Sequence, residues 1–150
     1  MDYSRFTKID AILDRADDYF EVKRYKESLP YIDEALLEIV LYEAETWFYK
    51  ARALKFTGRL KEAFECFNKA YELAPNNLEY YGRRETFFDE ELPEDLQQSL
   101  IGLKNNTLKR IYERFSSKCI SPLDKLIVER IARQKNLSPL DRNILSAAKR

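Results

Sequence analysis

The sequence predicts an all-α protein on three observations: turn residues are scarce, apolar residues recur at helical spacing, and one pattern returns after 35 residues. Only 3 Gly and 5 Pro punctuate the 150 residues, and strand-rich folds need more turns than that. With 45% hydrophobic residues and 1 Trp, 10 Tyr and 9 Phe, a packed core is available and global disorder is excluded.

The clearest elements lie between Ala44 and Asn77. Trp47, Ala51 and Leu54 share one face of a first helix, at spacings of four and three. Gly58 breaks that helix. Leu60, Ala63, Phe67 and Ala70 mark the inner face of a second helix, which must end before Pro75 because proline cannot extend it. Alanines at 51, 63 and 70 let two antiparallel helices approach closely, while Trp47, Leu54 and Phe67 fill the space beside them.

This segment resembles the tetratricopeptide repeat, a helix–turn–helix unit, at its Trp, small-residue, Gly, Ala, aromatic, Ala and Pro positions. It departs from the pattern where Lys50 replaces the usual Leu. The resemblance implies a right-handed superhelical stack of helical hairpins. A second, degenerate copy runs from Ile9 to Glu43, with Ile12, Ala16 and Tyr19 matching Trp47, Ala51 and Leu54. Tyr25, Ser28, Ile32 and Ala35 match Leu60, Ala63, Phe67 and Ala70, while Lys23 replaces the Gly and Val40 the closing Pro.

A third copy would begin near Leu78. Tyr81 and Phe88 fit its large positions, but Glu85, Gln97 and Lys104 occupy places that belong to small residues. The organisation expected is therefore two repeats at 9–43 and 44–77, a degenerate third repeat or capping helices at 78–104, and a basic helical region at 105–150. Two repeats fall below the three usually needed for a stable array, so other helices must cover the exposed end.

Four further helices are expected to close the stack. Pro93 opens one through about Lys104, and Asn106 caps the next, with Leu108, Ile111, Tyr112 and Phe115 as its apolar stripe. Ser121-Pro122-Leu123-Asp124 and Ser138-Pro139-Leu140-Asp141 each read as a helix start, with Ser as N-cap and Pro in the first position; Asn136 is a stop between them.

Charge divides the chain. Residues 1–99 hold 14 Lys/Arg against 22 Asp/Glu, a balance of −8, and residues 100–150 hold 12 against 4, a balance of +8. Three readings of the basic half follow: helices that cap the last repeat with solvated Lys and Arg, a nucleic-acid contact, or a docking arm on acidic surface of this chain or a neighbour. An uncovered array end and opposite charges in two halves both favour self-association.

In the family the resemblance names, first helices of successive units line a groove that holds an extended peptide or a partner helix. Carried over by register, the groove receives Asp10, Leu13, Asp17, Phe20 and Glu21 from the first unit, and Glu45, Phe48, Arg52, Lys55 and Phe56 from the second. A continuing third unit adds Glu79, Thr86, Asp89 and Glu90. The terminal-carboxylate clamp known in the family is absent, because the matching places hold Leu13, Asp17 and Tyr49. The partner implied is another protein or peptide with a basic or amphipathic segment, held by Phe20, Phe48 and Phe56 and steered by Asp17, Glu21 and Glu45. The function implied is that of an interaction adaptor or assembly factor, with nucleic-acid binding through the basic helices as the alternative.

No catalytic residue, metal ligand or cofactor is expected. Histidine is absent, which removes the usual general base and the commonest transition-metal ligand. Asp14, Asp17, Asp18 and Glu21 lack the oxygen-rich loop of a calcium site and read as a solvated helix face. Cys66 reads as a packing residue, and Cys119 has no base partner. No stretch is apolar and long enough to span a bilayer, the start shows no leader, and two unspaced cysteines suit a reducing cytoplasm.

Overall fold

A computed structural model describes residues 4–117, 120–137 and 139–148, and among these residues every regular element is a helix. In chain order they are α1 (Ser4–Glu21), α2 (Tyr25–Phe56), α3 (Leu60–Leu73), α4 (Leu78–Thr86), α5 (Glu94–Ser116), α6 (Pro122–Ala132) and α7 (Pro139–Ala148). A π-helical turn, Phe87–Glu91, continues α4.

The repeat spacing survives in the backbone. Gly58 takes a left-handed φ of 81°, and Lys23, its counterpart 35 residues earlier, takes a left-handed φ of 62°. Each turn closes with the same pair of hydrogen bonds: Arg24 N–H to the Tyr19 carbonyl at 2.9 Å and Arg59 N–H to the Leu54 carbonyl at 3.0 Å, with Lys23 and Gly58 donating to Phe20 and Lys55. Both hairpins therefore end their first helix in the same way, although only the second has the residue best suited to it.

Two expected helix boundaries are absent. The second helix of the first unit and the first helix of the second unit form the single 32-residue α2, which runs straight through the 43/44 junction. No Gly or Pro stands between Tyr31 and Thr57, so nothing stops the helix where Val40 replaces the closing proline. Likewise Asn106 caps nothing: it lies inside the 23-residue α5, which crosses the 104/105 boundary. Neither Gly102 nor Asn105 is a strong enough breaker, and the Thr107 hydroxyl bonds back to the Leu103 carbonyl within the helix.

Other starts and stops match the sequence. α3 ends at Leu73, two residues before Pro75. Asn77 caps α4 by accepting from the Tyr80 N–H, and Ser121 caps α6 by accepting from the Asp124 N–H with Pro122 behind it. α7 starts at Pro139; the Ser138 cap and Cys119 lie outside the described residues. Of the four further helices expected from Pro93 onward, the first two are the single α5, and α6 and α7 follow.

α2 is the central element. α1 lies antiparallel along its first half, as the Phe20–Tyr25 and Phe6–Tyr42 ring contacts show, and α3 lies along its second half. α4 and α5 pack on α3, α6 packs on α2, and α7 joins α5 and α6. One core runs from Leu37 through Phe64, Phe67 and Tyr71 to Phe115, Ile131 and Ile144. The buried Ile9, Ile12, Ala16 and Ala35 of the first hairpin lie outside that core.

Candidate functional site

The C-terminal end of α2 presents Arg52, Lys55 and Phe56, and opposite it α4 presents Arg83 and Thr86 and the π-helical turn that continues it presents Phe87 and Glu91. Between them is a cleft of about 120 Å³ whose floor is formed by the buried Phe67 and Phe87 rings. Phe56 is the last residue of α2, just before the left-handed Gly58 turn, and this placement leaves its ring 79% exposed. Lys55 lies over that ring at 5.5 Å and pairs with Glu91 across the cleft at 2.9 Å. Arg52 and Arg83 are exposed on either side, so the lining carries more positive than negative charge. Such a surface offers an apolar platform flanked by guanidinium groups, suited to an apolar side chain with carboxylates near it. A shallower depression of about 280 Å³ lies between α2 and α3, lined by Trp47, Lys50, Glu62, Glu65 and Lys69, without an exposed aromatic face to anchor a ligand.

The residues expected to form one groove fall into two places. Leu13, Asp17, Phe20 and Glu21 are exposed on α1, where the Phe20 ring meets Tyr25 at 4.7 Å. Tyr25 opens α2 and Phe56 closes it, so at about 1.5 Å per residue roughly 45 Å of helix separates this set from Arg52, Lys55 and Phe56. The unbroken α2 is the cause: a stop near Val40 would have folded the second unit back beside the first. Glu45 is half-buried between the two sets.

Phe48 requires a correction. It is 5% exposed and packs against Phe67 at 5.8 Å and Tyr80 at 4.8 Å, so it belongs to the core where α2, α3 and α4 meet and has no face for a ligand. Asp10, Glu79 and Glu90 are exposed and Asp89 lies 4.0 Å from Lys104, all outside the cleft; Thr86 does line it. Arg83, Phe87 and Glu91 were not singled out from the sequence. Their spacing of four along one helical face was the available signal.

A second feature that sequence reasoning missed is a buried polar network joining α3, α4 and α5. Arg84 is fully buried, donating to Asn68 Oδ1 at 2.7 Å and Glu85 Oε1 at 2.9 Å, with its guanidinium 4.4 Å from the Tyr71 ring centroid. Asn68 donates onward to Thr107 Oγ1 at 2.8 Å, and Lys104 pairs with Glu85 at 3.0 Å. Burial pushes the Glu85 carboxyl up, but hydrogen bonds from Lys104 and Arg84 outweigh burial and hold it below its ordinary value. Burial raises the Tyr71 phenol and the Cys66 thiol, leaving both protonated and inert at neutral pH.

The basic half turns much of its charge inward. Arg110 grips the Glu72 carboxylate at 3.0 Å, Arg114 bonds the Glu72 carbonyl at 2.8 Å and Asp124 at 2.6 Å, and Arg130 reaches the buried Glu38 at 2.7 Å. Lys8 of α1 meets the same carboxylate at 3.2 Å. Burial alone would raise Glu38, yet the bonds from Arg130 and Lys8 hold it below its ordinary value. α5 and α6 thus dock on the acidic repeat half of their own chain. Lys109, Lys125, Arg133, Lys135 and Arg142 remain exposed.

Asp14, Asp17, Asp18 and Glu21 are exposed on α1, and among the described residues no three Cys, Asp or Glu are grouped to hold a metal ion. No described helix is long and apolar enough to cross a membrane.

Compared with known proteins, residues 44–77 match the family described as Tetratricopeptide repeat, over the same bounds as the unit with the Gly58 turn and the Ala51, Ala63 and Ala70 contacts. No curated protein and no solved structure gives a significant match to the chain. A repeat of this kind points to protein–protein interaction in general. The chain thus contains a tetratricopeptide repeat unit, at residues 44–77.

Proposed function

We propose that the chain is a cytoplasmic, non-catalytic adaptor or assembly factor that takes a peptide or helix of a partner protein in the cleft between α2 and α4. The observation that carries this reading is Phe56, an aromatic ring almost entirely in solvent, flanked by Arg52 and Arg83 and pinned by the Lys55–Glu91 pair. A large exposed ring above an apolar floor gains most when a partner covers it. The segment that fits is amphipathic: an apolar side chain on Phe56, with acidic groups toward Arg52 and Arg83. A basic segment suits Asp17 and Glu21 on α1, at the other end of α2, and does not suit this cleft. Four of the basic side chains that a nucleic-acid role would draw on, Lys104, Arg110, Arg114 and Arg130, are engaged within the chain, which favours the protein-binding reading.

A displayed library of random peptides panned on the full chain tests the cleft directly. Selected peptides should combine an apolar anchor with Asp or Glu, and Phe56→Ala with Arg52→Glu should weaken them at least about tenfold while leaving helicity unchanged. Equal binding to the double variant would place the site elsewhere.

A further inference from the structure

The stripe Leu29, Ile32, Leu36 and Ile39 on α2 has counterparts 35 residues later at Phe64, Phe67, Tyr71 and Ala74. In the second unit all four are buried, covered by α4 and the π-helical turn that continues it: Phe88 lies on Phe64 at 5.3 Å, Phe87 on Phe67 at 5.1 Å, and Tyr81 on Tyr71 at 5.6 Å. In the first unit the helix that would do the same job is α2 itself, drawn out straight instead of folding back. Leu29, Leu36 and Ile39 are consequently between 45 and 55% exposed and Ile32 is half-buried. α1 extends this face, for Phe6, Leu13 and Phe20 are exposed at intervals of seven, with Phe20 against Tyr25 and Phe6 against Tyr42.

We propose that this face is a homodimer interface, in which a second copy of the chain supplies the missing layer by laying its own α2 antiparallel on the stripe. The spacing Tyr25, Leu29, Ile32, Leu36, Ile39, Glu43 alternates four and three, the spacing of knobs-into-holes seams. Under a two-fold axis the seam complements itself. Leu29 lies opposite the partner's Ile39, Ile32 opposite the partner's Leu36, and Tyr25 opposite the partner's Glu43, whose carboxylate accepts from the phenol. The seam positions between these ends carry no charge, and Asp33 flanks them. The part-exposed apolar side chains of the two helices offer on the order of 800 Å² on each copy, the area that one partner of a standard stable interface buries. The face also lies outside the main core, beside the small apolar contact of Ile9, Ile12, Ala16 and Ala35 between α1 and α2, so a second layer adds to a thin contact.

Sedimentation equilibrium of the full chain should show twice the 17.9 kDa protomer mass. Leu36→Glu should raise the dimer dissociation constant at least about a hundredfold. Its helical circular dichroism should be unchanged, because residue 36 is half in solvent already. Phe56→Ala, at the far end of α2, should leave the mass alone, which separates this interface from the peptide cleft. Leu29→Cys combined with Ile39→Cys should form an interchain disulfide on mild oxidation, and Leu29→Cys alone should not. A chain that stays monomeric at all concentrations overturns the proposal. So does a dimer indifferent to Leu36→Glu, and equal cross-linking by Leu29→Cys alone overturns the register.

Discussion

The two hairpins that share α2 agree at their small positions and differ at their large ones. Ala16, Ser28 and Ala35 in the first are buried, as are Ala51, Ala63 and Ala70 in the second. The large positions diverge: Ile32 is half-buried where Phe67 is 3% exposed, and Tyr25 is exposed where Leu60 is half-buried. Small residues are buried by the closeness of two helices, a property internal to one hairpin. Ile12 is buried by that contact alone, whereas Ile32 and Phe67, the large residues of the second helices, reach past it and become buried only where a further layer stands over them. The second hairpin has α4 and α5 as that layer; on the first half of α2, α6 reaches Glu38, while Leu29, Ile32, Leu36 and Ile39 stay exposed in part. A repeat unit therefore specifies its own hairpin locally, while its stability depends on the neighbour that follows.

The strongest way to sharpen this contrast is to remove Arg84, the largest side chain buried in the covered half. Arg84→Ala leaves Asn68 Oδ1 without its donor and the half-buried Glu85 with Lys104 alone, and opens a void beside Tyr71. The expected loss is about 3–5 kcal/mol of unfolding free energy in denaturant titration. Arg84→Lys should recover only part of it, since an ammonium cannot serve Asn68, Glu85 and the Tyr71 face in one planar arrangement. A loss below about 1 kcal/mol would mean the network is not what binds α4 to α3 and α5.

Acid should act on both halves through one carboxylate each. Glu38 ties α1 and α6 to α2, and Glu85 ties α4 to α5; both are held below their ordinary value near 4.5. A lowered folded-state value means the stabilisation is fully present above that ordinary value and is lost as pH falls through the lower folded one. Melting temperature should be flat near neutrality and fall below about pH 4.5. Glu38→Gln and Glu85→Gln should each lower stability near neutrality and flatten part of the acid decline. An unchanged acid profile in both variants would assign the decline to other carboxylates.

Much of this was legible from residue type and spacing. Trp47 to Pro75 carries the repeat unit, and the match of Lys23 to Gly58 anticipated two equivalent turns. Helix continuity was harder to read. Val40 in place of proline was noted as a substitution within the pattern, while its consequence, the loss of a stop, depends on the whole stretch from Tyr31 to Phe56 containing no other breaker. That continuity split the expected groove, stranded Phe20 from Phe56 and left the Leu29–Ile39 stripe bare. Phe48 was misplaced for a related reason: its burial depends on Tyr80, which comes from α4 and shares no periodicity with it. Arg84 was invisible because a long charged side chain reads as surface until Asn68 of α3, itself held by Thr107 of α5, and the neighbouring Glu85 accept from it.

The equivalence of the two turns yields the smallest and cleanest measurement. At Lys23 an L-residue holds a left-handed φ that glycine adopts freely, with the strain of a Cβ facing the adjoining carbonyl. Lys23→Gly relieves that strain but increases the freedom of the unfolded chain, so a net gain of about 0.5 kcal/mol is expected. Gly58→Ala at φ 81° does the reverse, and since nothing within 4 Å would meet the added Cβ, its cost of about 1 kcal/mol is backbone strain alone. The sign difference matters more than either size. If Lys23→Gly destabilises, the Lys23 side chain makes a contribution its exposure does not suggest, and the two hairpins differ in their turns as well as in their cover. If the signs are opposite, the turns are interchangeable and the difference between the halves rests on what lies above the large residues.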